Sequence, residues 1–179
     1  NRSGDNYFFL TNEERDVNRE VKAVELDSGA EARLLGDLIF NDVLKERRKY
    51  RFATNKMDFG FNRLCDQHPI GNRLDGDLLV SVMTPLADEY ELYDNARCIL
   101  ESNNEGGHVL IRLGNDKNLG RELRTYLQTD KYVRNKSDGS QPDSTKRILR
   151  DMAEDNQARR IRLTNLLSEM FVQADCFVA

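Results

Sequence analysis

The chain has no tryptophan, two histidines and three cysteines among 179 residues. Cys65, Cys98 and Cys176 are an odd, scattered set, so no disulfide framework is expected and a reducing cytoplasm is the simplest compartment. His68 and His108 leave little material for imidazole catalysis, and no G-x-S-x-G elbow accompanies them. No apolar run approaches a membrane span, and no charged-then-apolar leader opens the sequence, so no membrane partner is expected. Neither G-x-x-x-x-G-K-[ST] nor a G-x-G-x-x-G following a strand is present. Gly106-Gly107 precedes a strand rather than a helix, which reads as a helix stop and not as a phosphate cradle. The net charge of −4 gives no global pull toward nucleic acid or anionic lipid.

What is present is a well-patterned domain. The length fits one domain with an appended helical arm, and it suffices for a core without staples. Thr11-Asn12-Glu13-Glu14 reads as a capping box, followed by Val17, Val21 and Val24 on one helical face. Ser28-Gly29-Ala30-Glu31 reads as a second box, ahead of Leu34, Leu35, Leu38, Ile39 and Val43. Tyr50 and Phe52, then Phe59 and Phe61, alternate with polar or small residues around Asn55-Lys56, predicting a β-hairpin. The stretch 78–83 is apolar on both faces apart from Ser81, as a covered strand should be, and Pro85 ends it.

Asp88 and Glu91 predict a helix over 88–102 with Leu92, Ala96, Ile99 and Leu100 on its apolar face, and 108–113 is again strand-like. Together these form a βαβ unit with a right-handed crossover. A further helix carries Leu119, Leu123, Tyr126 and Leu127. The expected fold class is α/β, or α+β in a less strict naming. A mixed sheet of about four or five strands contains the hairpin and the βαβ unit, with helices around it. Residues 1–135 form the α/β domain, 136–142 a polar linker, and 143–179 a C-terminal helical arm. That last helix either runs unbroken or breaks near Asp155-Asn156. Residues 176–178 are read as a further strand, cut short at the chain end, which suggests a piece of a longer protein.

Several constellations invite a chemical reading. Cys65-Asp66-Gln67-His68 has C-x-x-H spacing, half of a zinc site, but Cys98 and His108 form no second close pair. Asp75 and Asp77 flank Gly76 before a strand and, with Glu91, suit a metal-dependent nuclease as well as ordinary turns and caps. Lys45, Arg47, Arg48, Lys49 and Arg51 form the one dense basic run, with aromatics in and after it. It fits nucleic-acid phosphates, with the hairpin as a wing, and it equally fits a solvated face. Leu149, Met152, Asn156, Arg159, Leu163, Leu166 and Met170 make a heptad-like seam with two polar members. Either the helix leaves the core at Asn156 and Arg159, or these two make a specific polar contact to another domain or subunit. A homo-oligomer would also use such a seam.

An ordered set of segments resembles one family. Tyr7-Phe8-Phe9-Leu10-Thr11-Asn12-Glu13-Glu14, with Asp16, Val17 and Arg19-Glu20, resembles a stretch of the large P-loop ATPases of the BREX phage-defence system, the BrxC type. Gly76-Asp77-Leu78, Thr84-Pro85, Val109-Leu110-Ile111-Arg112-Leu113, the run from Leu119 to Tyr132-Val133, and Asn156-Gln157-Ala158-Arg159 follow in the same order. The resemblance implies an internal fragment of a bacterial ATPase whose phosphate-binding loop lies elsewhere. No catalytic residue carries over, and no cofactor is expected in this piece, with ATP and Mg²⁺ belonging to the parent. The implied role is a non-catalytic structural or interaction domain that couples the ATPase to other domains, other BREX proteins or DNA. A DNA-binding module using residues 45–51 is the alternative, ahead of a small metal-dependent enzyme.

Overall fold

The computed structural model describes residues 11–72, 76, 78–104, 106–137 and 139–178, with the backbone of 2–3 and 6–7. The described chain divides into two units, 1–27 with 124–160, and 28–123 with 161–179. This division runs across the expected boundaries at 135 and 143, because its limits fall inside two helices.

In the first unit, β1 (Arg2–Ser3) and β2 (Asn6–Tyr7) form a short antiparallel ladder. The helix α1 (Asn12–Lys22) starts at the predicted capping box. The Thr11 hydroxyl accepts from the Glu14 amide, and the Glu14 carboxylate accepts from the Thr11 amide at 2.6 Å. Val17 and Val21 then bury one face against Tyr132 and Leu149. Those residues sit on α4 (Leu119–Lys136) and α5 (Asp143–Val172), whose later and earlier parts, respectively, belong to this unit. Polar ties fix the pairing: Tyr132 donates to Glu20 at 2.7 Å, and Gln128 donates to the Lys22 and Val24 carbonyls. Burial and the Glu20 carboxylate push the Tyr132 phenol up to about 12. The helix α5 is unbroken for 30 residues, so no break occurs at Asp155-Asn156.

The second unit is built on a sheet. The strands are β3 (Lys49–Arg51), β4 (Asp58–Cys65), β5 (His68–Pro69), β6 (Leu78–Met83), β7 (His108–Arg112) and β8 (Asp175–Val178). Their order is β3-β4-β6-β7-β8, with β5 also paired to β4, giving six strands where four or five were expected. The predicted hairpin is β3–β4, with Tyr50 opposite Phe59. The predicted parallel pair is β6–β7, and β4 runs parallel to β6 as well. The apolar end of the chain adds to the sheet as β8, antiparallel to β7, with Phe177 opposite Leu110.

The helix α2 (Ala30–Asp37) continues into a π-helical turn, Leu38–Val43, and buries Leu35, Leu38, Ile39 and Phe40. It lies close on β4. A Cβ at Gly36 would sit 3.6 Å from the Cys65 Cβ and 2.2 Å from the Ile70 Cδ1. The second capping box does not form. Gly29 takes the N-cap position at φ 76, with no side-chain cap, and Arg33 reaches back to the Ser28 carbonyl instead.

The crossover helix also differs from expectation. Residues 90–92 make a single 3₁₀ turn, and α3 (Asn95–Asn104) begins seven residues later than Asp88. Asp94 is its actual cap, accepting from the Arg97 amide at 2.8 Å. The cause is Tyr90, buried against Met83 and Leu110, with its hydroxyl donating to the Leu113 carbonyl at 2.6 Å. Anchoring Tyr90 to the sheet sets the rotation of α3. Cys98 and Ser102 face inward, while Leu92, Ile99 and Leu100 are exposed.

Candidate functional site

In open α/β sheets the crevice beyond the carboxyl ends of parallel strands is where ligands gather. Here β4 and β6 end side by side, at Cys65 and Met83. Beyond them lies a crevice of about 530 Å³, lined in part by Glu31, Asp66, Gln67, His68, Asp88 and Glu89. Asp66 and Gln67 are the two turn residues between β4 and β5, at φ 46 and 65, so the turn has the left-handed form that suits a tight hairpin.

That turn explains the Asp66 position. Its Oδ1 accepts from the Thr84 amide at 2.6 Å and its Oδ2 from the Thr84 hydroxyl at 2.7 Å. Its own amide donates to the Val82 carbonyl. The carboxylate thus clips the ends of two parallel strands together. Burial raises its pKa, partly opposed by the Thr84 bonds and the neighbouring His68. Gln67 donates to the Tyr93 hydroxyl at 2.9 Å, and His68 Nδ1 sits 2.8 Å from the Asp66 carbonyl. Sequence reasoning placed Asp66 only inside C-x-x-H spacing. A Thr at the end of the next strand was the signal in the sequence for the clip.

The half-site reading of Cys65 and His68 does not assemble. Cys65 is buried, and burial raises its thiol pKa. Cys98 is enclosed, with its Sγ 3.6 Å from the Tyr93 carbonyl. His108 is buried between the Ser81 hydroxyl and the Glu101 carbonyl. Among the described residues, no three His, Cys, Asp or Glu side chains come together as a metal group. Asp75 and Asp77 lie outside the described residues. Glu91 is exposed on the 3₁₀ turn.

The polar members of the α5 seam are not both outward. Asn156 is buried, and its amide donates to the Tyr126 carbonyl at 3.0 Å. Arg159 donates to the Asn156 side-chain oxygen at 2.9 Å. The expectation of an exposed pair fails for Asn156, because α5 is unbroken there and α4 supplies the acceptor. Further along, Leu167 rather than Leu166 is fully buried, since a straight helix drifts relative to a strict heptad.

The basic run lies fully in the open. Every residue from 45 to 58 is exposed. Lys45 and Glu46 are both left-handed, at φ 53 and 55, and turn the chain from the π-helical turn into β3. Lys49 and Arg51 then lie on one face of the ribbon, opposite Gly60 and Asp58, and Tyr50 and Phe52 lie on the other. Arg48 shares the Tyr50 face. Its carbonyl accepts from the Phe61 amide, which places it near Arg63. Arg63 was not singled out in the sequence. Its guanidinium is buried over the Phe40 ring, and its pKa is lowered by that burial and by the positive charge of Arg48, partly opposed by the Glu46 carboxylate.

These residues define a mixed α/β domain whose framework is a six-stranded sheet. The comparison with known families agrees. Residues 24–179 match the family described as the BREX ATP-binding protein BrxC 4th domain with six-stranded beta sheet. The chain belongs to that family, as the resemblance implied. The match starts at Val24, so the stretch from Tyr7 to Glu20, the leading segment of the resemblance, lies outside it. No solved structure matches the chain. None of its described helices is long and apolar enough to cross a membrane.

Proposed function

We propose that this domain is a non-catalytic structural and interaction module of a BrxC-like component of bacterial phage defence, coupling ATP-dependent work elsewhere in such a protein to partner proteins or DNA. The observation that carries this reading is a contrast between two places. At the carboxyl ends of the strands, where an α/β enzyme would hold its substrate, the half-buried Asp66 carboxylate is committed to Thr84 and Gln67 is tied to Tyr93. At the sheet edge, a ribbon with six basic residues and three large apolar side chains is left entirely open. Surfaces of that kind are interaction sites more often than reaction sites. On this reading ATP and Mg²⁺ act outside the domain, which works in the bacterial cytoplasm.

Calorimetry on the purified chain tests the reading, with no heat of ATP binding and no ATP turnover as the expected result. A BrxC-like protein carrying charge-reversed residues at 47–49 should still hydrolyse ATP while protection against phage is lost. Tight ATP binding by the isolated chain would sink the proposal.

A further inference from the structure

Residues 45–58 hold six basic and two acidic side chains, a net +4 in a chain whose net charge is −4. The positive charge is therefore segregated onto one exposed segment. That segment is a two-stranded ribbon open on both faces. Its turn is rigid. Phe52 donates to the Met57 carbonyl, Lys56 donates back to the Phe52 carbonyl, and the Asn55 side chain accepts from the Met57 amide. On the face opposite Lys49 and Arg51, the apolar side chains remain in water, with Tyr50 56%, Phe52 42% and Met57 57% exposed.

The base of the ribbon adds an independent observation. Arg48 lies opposite Phe61 at the end of the β3–β4 ladder, two residues from Arg63 on the same face, and its charge is felt by the Arg63 guanidinium. Among the described residues, the Arg63 Nη1 is sealed from solvent with no hydrogen-bond partner. Its Nη2 packs against Gly71, where a Cβ would lie 2.5 Å away. A buried donor without an acceptor is uncommon and calls for a reason. The Arg48 charge acts unfavourably on the Arg63 guanidinium, the Glu46 carboxylate opposes it in part, and an anion held at Arg48 would offset the remainder.

We propose that the β3–β4 ribbon docks on duplex DNA, entering the major groove with Lys45, Arg47, Arg48, Lys49 and Arg51 on the phosphates of its walls and Tyr50, Phe52 and Met57 against base edges and thymine methyls. The groove is about 12 Å wide and admits a two-stranded β-ribbon. Phosphate neutralisation supplies the affinity, and the phosphates nearest Arg48 offset its repulsion with Arg63. Apolar side chains in the groove contact methyl groups without needing polar partners. The proposal rests on the interaction-module reading and names the partner. The two fail separately, because ATP binding would sink the module reading whatever the DNA result.

The test is fluorescence anisotropy of the 179-residue chain with a labelled mixed-sequence duplex, and with a single strand of equal length, across a salt series. Duplex binding that weakens steeply with salt is expected. Arg47→Ala/Arg48→Ala/Lys49→Ala should weaken it by about tenfold or more, and flatten the slope of log K against log salt by about 2.7, at about 0.9 per lost phosphate contact. Tyr50→Ala/Phe52→Ala should weaken binding with the slope unchanged. Arg147→Ala/Arg150→Ala, exposed on the α5 segment of the other unit, should change nothing. Arg48→Ala alone should melt no lower than wild type, since it relieves Arg63. Three results overturn the proposal: no duplex binding at low salt, a triple variant that binds within about twofold of wild type, or tighter binding to the single strand. If DNA does not bind, and the Tyr50/Phe52 variant instead loses a purified BREX protein, the ribbon's partner is protein and the DNA proposal is wrong.

Discussion

Thr84 occupies both oxygens of the Asp66 carboxylate, with its amide at 2.6 Å and its hydroxyl at 2.7 Å. One residue at the end of β6 thereby holds the turn that follows β4. Asp66→Ala removes both acceptors and puts a residue less suited to the left-handed region at φ 46. A loss of about 1–3 kcal/mol in urea unfolding is expected. Asp66→Asn keeps an acceptor for the amide and should cost clearly less.

The same carboxyl sets a pH dependence. Burial raises its folded pKa above the ordinary value of 3.8. The native state therefore binds this proton more tightly than the unfolded chain does. Stability of the wild type relative to Asp66→Asn should rise as pH falls through the folded pKa, and level off below the ordinary value. A relative loss on acidification, seen in denaturant melts at stepped pH, would mean that the Thr84 bonds outweigh burial.

Asn156 is the buried polar contact of the first unit. Asn156→Ala removes the donor to the Tyr126 carbonyl and the acceptor used by Arg159. About 1–2 kcal/mol of stability should be lost, by the same measurement. Arg150→Ala, exposed on the same helix, should be neutral within about 0.5 kcal/mol.

Gly76 tests the approach of two backbones. A Cβ there would lie 2.6 Å from the Gly60 carbonyl oxygen and 2.7 Å from its carbon, so backbone must move. Gly36→Ala meets only the tip of Ile70 and gains about 1 kcal/mol of helix propensity. Gly76→Ala should therefore lower the melting temperature more than Gly36→Ala. The reverse order would show that the β4–β6 junction yields easily.

The three thiols should separate in reactivity. Cys65 and Cys98 are buried, and burial raises the pKa of both, whereas Cys176 is exposed. A thiol reagent under native conditions should label one cysteine quickly and the other two only on unfolding. Cys176→Ser should abolish the fast phase.

Local chemistry was legible wherever neighbours in sequence decide the outcome. The Thr11–Glu14 box and the Tyr50–Phe59 hairpin read correctly because caps and short turns are set within a few residues. The parallel β6–β7 pair read correctly because the connection between them is long enough for a crossover. The face of α3 did not. Its outcome depends on Tyr90 reaching the Leu113 carbonyl, 23 residues away.

The functional surfaces divide in the same way. The sequence alone determined the basic run, its interleaved aromatics and the family, because charge, type and order along the chain are one-dimensional properties. Tertiary structure decided that residues 45–58 stand open on both faces, that the Arg48 charge bears on Arg63, that Asn156 turns inward, and that Asp66 is spent on Thr84. Each of these depends on residues brought together by sheet pairing or helix packing, and burial there outweighs local preference.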